Sequence, residues 1–252
     1  MNLETILHLW YANPDGLLDP AVAEACVALL APEEREKSQR FKFDRHRRES
    51  LATRVLLRSA LSHLRPVPPA AWRFKVNQHG KPFLDPGCGL QFNLSNSVGL
   101  VVCLVAEDID VGVDVESHTR SEQIMDVAER VFSVEENAQL KELEGAAMHD
   151  RALSLWTLKE AYIKARGMGL ALPLDKISFL FDGAGSIRLK TDPAVDSNPD
   201  RWRFCSFDLG GHRVAAVVEH ESVPVMNVWE ARQLLAPPVP VGVSAAQWFP
   251  RP

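Results

Sequence analysis

No stretch of this sequence is apolar for long enough to cross a bilayer, and the opening residues, MNLETILHLWYANPDG, lack a basic start and a small-residue cleavage site. The expectation is therefore a cytoplasmic protein that makes no use of a membrane. Cysteine is scarce: Cys26, Cys88, Cys103 and Cys205 form no CxxC pair and have no histidines nearby at metal spacing, which argues against a zinc site or a disulfide framework. Cys103, inside the run LVVCLVA, reads as a small buried hydrophobe. Positive charge is also in deficit. At a formal net charge of −5 the chain lacks the broad positive field that nucleic-acid binding needs. Several enzyme signatures are missing as well. There is no GxSxG elbow, no Walker loop and no HExxH, and GMGLAL lacks the glycine pattern and strand context of a dinucleotide site.

What is present is an ordinary globular composition, 46% hydrophobic and 24% charged, over 252 residues, which suits one large domain or two modest lobes. LHLWYA reads as an opening strand. DPAVAEACVALLAPEEREKSQRF reads as helix, restarting near Pro32. Arg40, Lys42, Arg45, His46, Arg47 and Arg48 then crowd nine positions ahead of the helical pattern SLATRVLLRSALSHL. Such a run is either a solvated helix face or the wall of a pocket for a phosphorylated small molecule. WRFKVNQHGKPFL predicts a strand with a loop at Gly80, Lys81 and Pro82. From 90 to 116, LQFNLS, GLVVCLVA and IDVGVDVE predict three strands of an antiparallel sheet or part of one. Helices follow in SEQIMDVAERVF, VEENAQLKELEGA and DRALSLWTLKEAYIKARG, the last ending at Gly167. Four more strand candidates precede a proline-rich tail from about Ser222, expected to lie over the surface without a core of its own. The domains expected are residues 1–110, 111–221 and the tail 222–252.

Two patterns carry chemistry. In IDVGVDVE the period of two puts Ile109, Val111, Val113 and Val115 on one face and Asp110, Gly112, Asp114 and Glu116 on the other. This is either an edge strand with a polar outer face or a pair of neighbouring carboxylates that a cation would reconcile, with Gly112 leaving room for something to approach. On the long helix, Leu155, Leu158, Tyr162 and Ala165 follow core spacing. At about 100° per residue, Glu160 lies opposite that stripe with Trp156 and Lys164 one turn to either side. Glu160 and Lys164 form at least an i,i+4 pair, and a tryptophan on this side suggests a cleft able to hold a third carboxylate. In QFNLSNSVGL, Phe92, Leu94 and Asn96 share one face while Asn93, Ser95 and Ser97 share the other.

Taken in order, PEEREKSQRF, GKP, FNLSNS, VGVDVES, ERVFSVEE and LWTLKEAYIKARGMGL resemble the consecutive motifs of the surfactin-type 4′-phosphopantetheinyl transferases, over roughly residues 30 to 180. The resemblance implies an α+β fold, a pseudo-dimer of two similar lobes with the active site in the cleft between them. The first lobe would serve the 3′-phosphate and adenine side of coenzyme A; the second would hold the metal carboxylates and the long catalytic helix. It implies transfer of phosphopantetheine from coenzyme A to a serine of an apo acyl or peptidyl carrier protein, dependent on Mg²⁺ with Mn²⁺ as a substitute, by a monomer. Asp114, Glu116 and Glu160 map onto the metal ligands, Lys159 and Lys164 onto lysines near the transferred phosphate, Lys81 onto the motif lysine, and Ser95 onto the phosphate-binding serine. Arg48 and Lys37 map onto the basic segment that meets the nucleotide end. Asn96 stands where the family usually has histidine and gives up the positive charge a histidine can supply. Glu160, directly or through a metal-bound water, is the expected base for the serine proton, and Lys164 is the expected catalytic lysine that stabilises charge on the leaving 3′,5′-ADP. Two other readings share these residues: a metal-dependent phosphodiesterase or nucleotide-cleaving enzyme, and a non-catalytic coenzyme A-binding module.

Overall fold

The computed structural model describes residues 5–182, 186–243 and 247–249. Strand β1 (Ile6–Ala12) leads into helix α1 (Pro20–Ala28), which starts where Asp19 accepts a bond from the Ala21 N–H and Pro20 fills the first turn. Pro32 then opens a second helix, α2 (Pro32–Gln39), and α3 (Asp44–Leu64) follows. Next come β2 (Phe74–Val76), β3 (Pro82–Leu84), β4 (Leu90–Ser97), β5 (Leu100–Glu107) and β6 (Val111–Ser117). Helices α4 (Ser121–Met125), α5 (Ala128–Val131), α6 (Val134–Lys141) and α7 (Gly145–Arg166) lie between β6 and β7 (Ile177–Phe181). A reciprocal cap between Ser133 and Glu136 starts α6, and Gly167, at φ 63°, ends α7 in the left-handed region. The remaining strands are β8 (Ile187–Thr191), β9 (Trp202–Leu209), β10 (His212–Glu219), β11 (Val225–Glu230), β12 (Val239–Val243) and β13 (Trp248–Phe249).

These elements form two α+β units, each a sheet covered by one long helix. One unit comprises Ile6–Asp108 with β11 and β12, and its five-stranded sheet runs β12-β11-β1-β5-β4. Helix α3 packs on β5, β4 and β1, closing a core that includes Trp10, Leu56, Leu57, Leu61, Cys103 and Val105. The other unit is built on Ile109–Pro224 with β13, and its sheet runs β13-β9-β10-β6. There α7 covers β6, β10 and β9 over Leu155, Leu158, Tyr162, Trp202 and Phe204. Among the described residues no helix is long and apolar enough to cross a membrane.

Two expectations change. β4 and β5 pair antiparallel as anticipated, but β6 leaves them and pairs with β10, from His212↔Ser117 to Val218↔Val111. Asp108, at φ 53°, turns the chain between the two sheets. The segment 222–252, expected as a surface tail, supplies an internal strand: β11 runs parallel to β1, from Ile6↔Val225 to Tyr11↔Glu230. Met226 and Val228 are buried, and so are Ala231 and Leu234 beyond the strand. Pro224 precedes β11, and Pro240 lies in β12 at the edge of the sheet, where a missing N–H is tolerated.

Candidate active site

The carboxylates start from the packing of β6 against α7. Gly112 is the contact point: a Cβ there would lie 2.0 Å from the Ala161 carbonyl oxygen and 2.4 Å from the Ala165 nitrogen. The room left by the missing side chain is therefore filled by helix backbone rather than by a ligand. That close approach buries Val111 to Glu116 on both faces, so the strand's polar face is not solvated as a simple edge strand would be. It also delivers Asp114 and Glu116 to the side of α7 that carries Trp156, Glu160 and Lys164.

Specific pairs result. Lys164 Nζ donates to Asp114 Oδ1 at 2.6 Å. Glu116 Oε1 accepts from Trp156 Nε1 at 3.0 Å, and Arg120 Nη1 stands 2.5 and 2.6 Å from the two Glu116 oxygens. Arg120 was not singled out by sequence reasoning; its i+4 position from Glu116, just past the strand, is the signal that could have found it. Glu160 forms no hydrogen bond among the described residues. Burial first and then the Asp114 charge push its carboxyl above the usual range, against the pull of Lys164. Burial and Asp114 push Glu116 the same way, opposed by Arg120.

Among the described residues no three histidine, cysteine or acidic side chains stand together at metal-ligating spacing. Lys164 and Arg120 supply the positive charge here instead. The donor chemistry nevertheless suits a hard divalent cation, because all the acceptors are carboxylate oxygens and Glu160 carries a raised pKa with no hydrogen bond of its own.

Lys159 does not belong to this surface, contrary to expectation. Its side chain is buried, pairs with Glu136 at 2.6 Å, and donates to the carbonyls of Val131, Leu174 and Ile177 at 3.2, 2.7 and 2.5 Å. One residue of rotation about α7 separates it from Glu160 and turns it into the core. With its donors engaged by Glu136 of α6 and the carbonyls of Val131, Leu174 and Ile177, it is a structural tie.

In the other unit, a cavity of about 420 Å³ is lined by Lys37, Phe41, His46, Glu49, Ser50, Thr53, Arg54, Pro82, Leu94 and Asn96. Lys37 and Asn96 thus line one cavity. Ser95 does not join them: alternation along β4 turns it to the opposite face, where it is buried. Arg48 is half-buried and outside the cavity wall, with an Nε that has no hydrogen-bond partner. Lys81 sits in the β2–β3 turn, its N–H donating to Asn77 Oδ1 at 2.9 Å, while the next residue, Pro82, touches the cavity. Thr53 and Arg54 were missed, although positions 46, 50, 53 and 54 share one helical face by spacing.

The family model for the 4′-phosphopantetheinyl transferase superfamily matches residues 110–218, and that for the 4′-phosphopantetheinyl transferase N-terminal region matches residues 19–109. The chain is 34% identical over 209 residues to the 4′-phosphopantetheinyl transferase Sfp of Bacillus subtilis strain 168, covering 80% of this chain and 87% of that protein. It is 32% identical to 4′-phosphopantetheinyl transferase HetI of a Nostoc species, covering 75% and 79%. Against the L-aminoadipate-semialdehyde dehydrogenase-phosphopantetheinyl transferase of Xenopus laevis the identity is 27%, covering 84% and 78%. The chain belongs to the 4′-phosphopantetheinyl transferase family, in its two-domain, Sfp-type form.

Proposed function

We propose that the chain transfers 4′-phosphopantetheine from coenzyme A to a serine hydroxyl of an apo acyl or peptidyl carrier protein, working as a cytoplasmic monomer with Mg²⁺. The observation that carries this is that Asp114 and Glu116, paired with Lys164 and Arg120, act on Glu160, whose carboxyl the Asp114 charge helps to push up, so that oxygen ligands for a divalent cation lie beside cations for a diphosphate. Asp114, Glu116 and Glu160 would hold Mg²⁺, which when bound supplies Lewis-acid charge to the diphosphate oxygens.

The chain's own residues do the rest. Glu160, whose raised pKa makes it a better proton acceptor than an ordinary carboxylate, takes the proton of the serine hydroxyl. The serine oxygen forms its bond to the phosphorus that bears pantetheine while the bridging P–O bond breaks. The electron pair leaves with 3′,5′-ADP. Lys164, 2.6 Å from Asp114 and partly exposed, offsets charge on the transferring phosphate. Lys37, Arg54 and Asn96 line a cavity that suits a phosphate of the nucleotide end.

Incubation with coenzyme A, Mg²⁺ and an apo carrier, followed by weighing of the carrier, is expected to show the added phosphopantetheine. Glu160→Gln should leave the fold intact and slow transfer by about 10²-fold or more. Release of phosphopantetheine into solution without any carrier would point to a phosphodiesterase instead. A Glu160→Gln protein that loads the carrier at the wild-type rate would remove Glu160 from the mechanism.

A further inference from the structure

Arg120 holds Glu116 in an incomplete way. A single nitrogen, Nη1, serves both carboxylate oxygens, whereas the matched fork of guanidinium and carboxylate uses two. The donors on Nε and Nη2 make no hydrogen bond to any described residue. The Arg120 side chain is 41% exposed while that of Glu116 is only 8% exposed, so the guanidinium stands on the solvent side of the carboxylate. Trp156 Nε1 already anchors Oε1 from the helix, and Glu116 therefore keeps one fixed partner if Arg120 departs.

Charge counting shows what such a departure would do. Asp114, Glu116 and Glu160 contribute three formal negative charges against two positive ones from Lys164 and Arg120, which leaves −1. A divalent cation at the carboxylates makes the cluster +1, and an arriving diphosphate is then attracted where it was repelled before. Arg120 competes with the cation for Glu116 but is a partner for the diphosphate, and its spare donors suffice for a planar, two-point grip on phosphate oxygens.

We propose that Arg120 is a phosphate-binding residue held in reserve on Glu116 until a divalent cation takes that carboxylate, which couples metal binding to coenzyme A binding. The proposal rests on the carboxylate reading above. It predicts opposite shifts from one substitution, and a purely structural arginine would not produce them.

The test uses the full chain and its Arg120→Gln variant, with Mn²⁺ binding alone read by electron paramagnetic resonance and coenzyme A binding at saturating Mn²⁺ read by calorimetry, without a carrier. Arg120→Gln should bind Mn²⁺ about 5-fold more tightly in the absence of nucleotide, because the competing ion pair is gone. It should bind coenzyme A about 10-fold more weakly with metal present. Arg120→Lys, tested in parallel as a conservative variant, should bind Mn²⁺ as the wild type does and hold coenzyme A with intermediate affinity. Unchanged or weaker Mn²⁺ binding in Arg120→Gln, or unchanged coenzyme A binding, overturns the proposal. If the glutamine variant does not fold, Arg120→Lys decides, and wild-type affinity for coenzyme A there overturns the proposal too. A wild-type chain that binds no Mn²⁺ at all would bring down the carboxylate reading itself, a failure distinguishable from that of Arg120.

Discussion

At the scale of single residues, the same residue type takes opposite roles according to which way its backbone turns it. Lys159 and Lys164 lie on one helix and both match a family motif, yet one is spent on Glu136 and three carbonyls while the other meets Asp114 at the surface of the cluster. Asn96 faces a cavity that already holds Lys37 and Arg54. Asn96→His should tighten coenzyme A binding, most clearly below about pH 6.5, where an unperturbed imidazole is protonated. Affinities that match the wild type at every pH from 5 to about 8, measured by calorimetry, would show that this side chain does not meet a phosphate. Asp196 illustrates a structural carboxylate. Burial alone would raise its pKa, but bonds from Arg201, Trp202, the Asn198 N–H and Tyr162 outweigh that and hold it at about 2. A carboxylate depressed on folding stabilises the protein above its unfolded pKa and ceases to as pH falls through its folded one. The melting-temperature gap between wild type and Asp196→Asn should therefore narrow between about pH 4 and about pH 2. A constant gap over that range would mean that the charge of Asp196 contributes nothing.

At the scale of elements, the site depends on how closely β6 and α7 approach. The alternation in IDVGVDVE and the core stripe of α7 were each legible in the sequence, because a period of two or 3.6 is a local property. Their contact was not, because nothing local says that Gly112 faces the backbone between Ala161 and Ala165. Gly112→Ala puts a methyl group 2.0 Å from a carbonyl oxygen, and neither strand nor helix backbone yields easily. The substitution should cost about 1 to 3 kcal/mol or more of stability and drive Glu160 away from Asp114. A soluble Gly112→Ala protein with the wild-type melting temperature and wild-type transfer rate would contradict that packing.

At the scale of the whole molecule, β11 lies between β12 and β1 in the five-stranded sheet although it arrives more than 200 residues after β1. A chain ended after Pro224 should lose β1's parallel partner and the buried Met226, Val228, Ala231 and Leu234, and so should aggregate or melt well below the full chain. An unaltered melting curve would restore the picture of a dispensable tail. The sequence by itself determined the α+β class, most of the helices and strands, the Glu160–Lys164 helix face and the family, and it singled out the three carboxylates as candidates, since these rest on local periodicity and on consecutive motifs. Tertiary structure alone decided that β6 abandons β5 for β10, that the proline-rich end supplies an internal strand, that Lys159 is buried and that Asn96 lines the cavity while Ser95 does not. Strand partners and the direction of a buried cation depend on the free energy of contacts between distant segments, to which a local pattern is blind.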